Sequence, residues 1–73
     1  MKKSTSEQLG IRLRSLRQKN NITQEKLAGL SRISLKYIQS LEGKCPQNPS
    51  LEVLQKLADG FSIPLWKLLK FEE

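Results

Sequence analysis

At 73 residues, the chain has room for one domain near the lower limit of a single hydrophobic core, burying roughly 60% of its unfolded surface. A core of this size supplies about 3–5 kcal/mol. A single cysteine, Cys45, excludes an internal disulfide, and the absence of histidine argues against a zinc site. The net charge of +6, from thirteen Lys and Arg against seven Asp and Glu, favours a polyanionic partner such as nucleic acid or an acidic membrane, although a merely solvated basic surface fits the charge equally well.

The opening MKKSTSEQ has two lysines without an apolar stretch behind them, so it does not read as a secretory signal. No run is long enough to span a bilayer. Together with a lone unpaired cysteine, this reads as a cytoplasmic protein.

Apolar spacing is helical almost throughout, so an all-α fold of five short helices is expected. Ser4 followed by Glu7 is a capping-box pattern, and it opens a first helix from about Thr5 to Lys19 with Leu9, Leu13 and Leu16 on one face. The Asn20-Asn21 pair ends it. Thr23 caps a second helix, Gln24 to about Leu30, which buries Leu27 and Ala28.

Ser34 caps a third helix running to Leu41 or Glu42, with Gly43 as its C-terminal stop. The loop from Gly43 to Ser50 holds two prolines and does not continue it. Ser50 caps a fourth helix, about Leu51 to Asp59, with Leu54, Leu57 and Ala58 inward and Gly60 marking its end. Pro64, compatible with a first turn, starts a fifth through Leu68 or Leu69.

On a wheel of about 100° per residue, Ile38 and Leu41 fall on one side of the third helix together with Ser34. Lys36, Gln39 and Ser40 fall opposite, and Leu35 and Tyr37 lie on the flanks. An ordinary exposed helix has the same pattern. What distinguishes this one is the short capped helix just before it, with small Ala28 where two helices in a tight turn approach closely. That pairing is a helix-turn-helix, over about residues 23–42, whose second helix fits the major groove of DNA.

The run LGIRLRSLRQKNNITQEKLAGLSRISLKYIQSLEGK, followed by NPSLEVLQKLADGFSIPLWKLL, resembles the DNA-binding domain of the phage repressor and Cro family, the XRE-type helix-turn-helix. It is also similar to the small controller proteins of restriction-modification systems. The resemblance covers Leu9 to Leu69 and implies a lambda-repressor-like fold that binds double-stranded DNA.

By that resemblance Gln24 donates to a DNA phosphate at the start of the second helix, and Ser34, Leu35, Lys36 and Tyr37 open the recognition helix. Gln39 and Ser40 are its weaker base-facing donors. Lys36 has the chemistry to donate to guanine O6 and N7, and Leu35 to pack on a thymine methyl. Lys44 and Asn48 lie where the family follows the DNA backbone. Arg17 and Glu42 match a family pair that forms a partly buried salt bridge. Arg32 departs from the pattern, standing where the family commonly has glycine, and either reaches a phosphate or stands free in solvent. Cys45 reads as an inert loop cysteine more readily than as a redox switch.

The C-terminal stretch IPLWKLLKF, within residues 61–73, is too apolar for a short helix covering a small core. Leu65, Trp66, Leu69 and Phe71 do not all face inward on one wheel, so they are expected at a homodimer contact. Two recognition helices about 34 Å apart then meet successive major grooves of a palindromic operator.

The function expected is therefore a sequence-specific transcriptional regulator, most simply a repressor, with activation through RNA polymerase also compatible. An antitoxin that binds a toxin, or an adaptor on the same scaffold, is the alternative. An enzyme is not expected: histidine is absent and the carboxylates form no evident cluster. No cofactor or metal is implied, and scattered basic residues argue against membrane binding. Taken as complete, a 73-residue chain leaves no room for a separate effector domain.

Overall fold

The computed structural model describes residues 4–43 and 48–71; Lys44 and Cys45 lie outside them. Five helices follow one another in the described residues: α1 (Thr5–Asn20), α2 (Gln24–Ser31), α3 (Leu35–Glu42), α4 (Leu51–Gly60) and α5 (Leu65–Leu68). Each predicted helix is present, with ends within one residue of the expected position.

Four of the starts are decided by a hydroxyl. The Glu7 N–H donates to Ser4 Oγ at 3.2 Å while the Ser4 N–H donates to Glu7 Oε1 at 2.9 Å, closing the capping box. Thr23, Ser34 and Ser50 each accept from the backbone N–H three residues on. Such caps contribute about 1 kcal/mol apiece, which matters in a chain whose helices after the first run only from four to ten residues. Pro64 precedes α5 as its cap without a side-chain bond.

Gly43 is the C-cap of α3 as expected, and α4 runs one residue beyond the expected Asp59, through Gly60. Neither Gly43 nor Gly60 adopts a left-handed conformation: Gly43 is extended, and Gly60 is the last residue of α4. The left-handed positions belong to Asn21, Arg32 and Ser62, with φ of 59°, 60° and 59°. A polar residue tolerates that region at modest strain, and no glycine among the described residues uses it.

Glycine serves close approach instead. A Cβ on Gly10 of α1 would collide with the Leu41 carbonyl oxygen of α3, and one on Gly60 would lie 3.1 Å from Ser31 Cβ of α2. These two glycines set how closely α1 meets α3 and how closely α4 meets α2. Ser31, buried at that second crossing, directs its hydroxyl to the Leu27 carbonyl at 2.7 Å, so no polar group is left open.

The core gathers one stripe from every helix: Leu9, Leu13 and Leu16, then Leu27, Ile38, Leu41, Leu57, Ala58 and Leu68, with Phe61 from the α4–α5 connection. Leu54 and Ala28, expected inside, are half-buried on its margin. Phe61 was not anticipated, because it follows the residue taken as the helix end.

Gly10→Ala is expected to lower stability by about 1–3 kcal/mol, since the new methyl meets backbone that no rotamer change can move. Urea denaturation of the variant measures this. A midpoint equal to that of the parent protein contradicts the close-approach account.

Candidate nucleic-acid interface

The turn between α2 and α3 is made by Arg32, Ile33 and Ser34. Arg32 caps α2 in the left-handed region (φ 60°, ψ 38°), and the Ile33 N–H closes the turn on the Ala28 carbonyl at 3.1 Å. This backbone conformation is the one in which glycine is least strained, which accounts for the glycine common at this position in the family and leaves Arg32 holding it at modest strain. The Arg32 side chain is exposed.

The inner face of α3 is held by Ile38 and Leu41, both buried. Lys36 and Gln39 are exposed on the outer face, while Leu35, Tyr37 and Ser40 are half-buried beside it. Ser34, placed on the inner side by the wheel, is exposed, because it lies before the helix as its cap; its Oγ accepts from the Tyr37 N–H at 3.1 Å. Gln24, Ser34 and Lys36 thus stand on the two short helices and the turn that joins them. Asn48 lies apart, with its Oδ1 accepting from Ser6 Oγ at 3.0 Å near the start of α1.

Behind this surface is the Glu42 carboxylate, with only 1% of its side chain exposed. Arg17 of α1 donates to both oxygens, Nε to Oε2 and Nη2 to Oε1, each at 2.7 Å, and its Nη1 reaches the Ile22 carbonyl at 3.2 Å. This is the forked geometry in which arginine binds carboxylate most strongly. Two further donors were not foreseen. Gln24 Nε2 lies 3.2 Å from Glu42 Oε1, and Arg14 Nη2 donates to the Glu42 main-chain carbonyl at 3.5 Å. Gln24 therefore commits one of its two amide N–H groups within the protein.

The hydrogen bonds from Arg17 to Glu42 raise the arginine pKa above its ordinary value; burial opposes the shift and the Glu42 charge adds to it. A raised folded-state value means that this contribution is complete below the ordinary arginine range and lost only as the pH climbs beyond it. The arginine charge therefore stays in place throughout the neutral and moderately alkaline range.

Of the four C-terminal apolar residues, Trp66 alone is broadly exposed, at 66%. Leu65, Leu69 and Phe71 are half-buried against the core margin. No helix among the described residues is long and apolar enough to cross a membrane.

A helix-turn-helix family model matches residues 13–65, most of the chain. The chain belongs to the helix-turn-helix family. Within it the chain is of the XRE, or Cro and repressor, type, a family of DNA-binding transcription regulators rather than enzymes. It is 42% identical over 59 residues to the HTH-type transcriptional regulator DdrOP3 of Deinococcus deserti, an alignment covering 81% of this chain and 45% of that one. The chain thus spans less than half the length of that relative.

Among solved structures, the restriction-modification controller protein C.AhdI from Aeromonas hydrophila superposes with a TM-score of 0.80 at 35% identity, covering 86% of this chain and 94% of that one. The clp gene regulator ClgR from C. glutamicum gives 0.81 at 29% identity, covering 93% and 87%. The lambda-repressor-like fold expected from the sequence is the fold observed.

Two substitutions probe this helix-turn-helix. Glu42→Ala leaves Arg17 without its partner and is expected to remove about 3–5 kcal/mol, comparable with the whole stability of so small a domain. An unchanged thermal midpoint contradicts the clamp. Arg32→Gly relieves the left-handed turn and is expected to add about 1 kcal/mol; a lower denaturation midpoint contradicts that account.

Proposed function

We propose that this protein reads double-stranded DNA sequence-specifically as a homodimer on an approximately palindromic operator and represses transcription there by occluding a promoter. The observation that carries the reading is the outer face of α3. Lys36 and Gln39 project into solvent from a helix whose inner face is anchored in the core. A helix held that way presents donors at defined positions, as readout of base edges in the major groove requires.

Lys36 is the strongest base-reading donor, with Gln39, Ser40 and Tyr37 beside it and Leu35 placed for a thymine methyl. Ser34 contributes its hydroxyl from the cap, and Gln24 and Arg32 serve as phosphate contacts at the two ends of α2. Lys44 and Asn48 are the further backbone contacts that the family resemblance implies for the loop after α3. A net charge of +6 supports the long-range attraction such a surface needs. The controller and regulator roles named for the similar proteins agree with this reading.

Dimerisation rests on α5. The exposed indole of Trp66, together with the half-buried Leu65, Leu69 and Phe71, supplies an aromatic anchor of the kind that dominates interfaces. One protomer has a single recognition helix, so a second copy is what adds a second half-site about 34 Å away.

Selection from a pool of random duplexes, followed by sequencing, is expected to enrich a palindrome with the protein as it is. With Lys36→Ala the preference is expected to relax at the positions that Lys36 reads, with a loss of about 1–3 kcal/mol at the preferred base pair. Salt-sensitive binding without sequence preference, or no binding, contradicts the proposal and shifts attention to a protein partner such as a toxin. For the dimer, Trp66→Ala is expected to sediment as a monomer at micromolar concentration; a variant as dimeric as the parent excludes that interface.

A further inference from the structure

The ion-pair cluster behind the helix-turn-helix has more positive charge than the fold uses. Glu42 supplies one carboxylate, and Arg17 occupies both its oxygens at 2.7 Å with 14% of its own side chain exposed. That pair is closed and neutral. Arg14, one turn earlier on α1, leans on the same residue far more loosely: its Nε is 3.7 Å from Glu42 Oε1 and its Nη2 3.5 Å from the Glu42 carbonyl. Its side chain is 57% exposed. The carboxylate is spent on Arg17, so the Arg14 charge is left largely uncompensated on the surface.

Its position gives that charge a use. Glu42 Oε1 is approached both by Arg14 Nε and by Gln24 Nε2, the latter at 3.2 Å, so the two donors converge on one atom. Gln24 is the first residue of α2, the end at which backbone N–H groups and the helix dipole favour an anion. A guanidinium has five N–H donors, and the contacts of Arg14 to Glu42 are at the outer limit of hydrogen bonding. They hold the arm over the α1–α2–α3 junction without exhausting its donors.

We propose that Arg14 is a DNA-contacting residue, donating to the same backbone phosphate as Gln24, with Glu42 positioning both. This rests on the DNA-reading role proposed above and extends the interface from the helix-turn-helix onto α1. In sequence Arg14 is one of four basic residues of α1, with Arg12, Arg17 and Lys19, and nothing in its spacing singles it out.

The test is binding of a duplex obtained from the selection above, measured at several salt concentrations for the parent protein, Arg14→Ala and Arg14→Lys, with urea denaturation alongside. Loss of one phosphate contact per protomer is expected to make the log–log salt slope shallower by about 1 for each half-site. Arg14→Ala is expected to bind about tenfold more weakly at low salt, equally for preferred and altered duplexes, with an unchanged denaturation midpoint. Arg14→Lys should restore much of the salt slope.

If the parent binds with a steep salt slope and Arg14→Ala matches it in affinity and slope, the Arg14 assignment fails while the DNA-reading role stands. If Arg14→Ala binds less but its midpoint falls in parallel, Arg14 is structural and the assignment also fails. Should the parent select no duplex, the DNA-reading proposal fails, and this inference with it.

Discussion

The carboxylate of Glu42 is buried at the last residue of α3, and it is tied to α1 through Arg17 and to α2 through Gln24. Three short helices are thereby referred to one atom group. A buried carboxylate without donors is strongly unfavourable, so any arrangement that separated these helices would strand it. Apolar packing brings the helices together through the buried Leu13, Leu27, Ile38 and Leu41, but apolar burial is non-directional and by itself leaves several registers open. The forked contact with Arg17 selects one register among them, and the outer face of α3 takes its direction from that choice.

Close backbone approach makes the clamp possible. At Gly10 the α1 backbone comes so near the Leu41 carbonyl that any side chain is excluded, and the next residue, Glu42, is the one that Arg17 reaches. At Gly60 the same economy of space lets α4 support α2 along Ser31. The α2–α3 turn, by contrast, is bent through Arg32 in a strained left-handed conformation. The Arg32 side chain is exposed there, in keeping with the proposed backbone contact.

Much of this was legible in the chain itself. The four hydroxyl caps, at Ser4, Thr23, Ser34 and Ser50, announce helix starts because their chemistry is local, and the leucine stripes announce the core because periodicity is local too. What escaped was set by distance in the fold. Gly10 and Gly60 read as ordinary or terminal glycines until another helix is laid against them. Phe61 is the exception: it is the cap residue of α4, four residues after Leu57 and on the same face, and was missed only because it lies past the expected helix end. Arg14 and Gln24 converge on Glu42 across 28 and 18 residues of sequence, a contact no spacing rule conveys. Leu65, Leu69 and Phe71 found partial cover from the core, leaving Trp66 to carry the exposed surface of α5.

In the proposed DNA complex the clamp presents the outer face of α3, with the start of α2, to the major groove. Titrating a selected duplex into isotope-labelled protein and following backbone amide shifts tests it residue by residue. The largest changes are expected on Gln24 and on Ser34 through Ser40, with the amides of α4 little affected. Changes concentrated on α4, or confined to the Trp66 face with α3 unmoved, would contradict it.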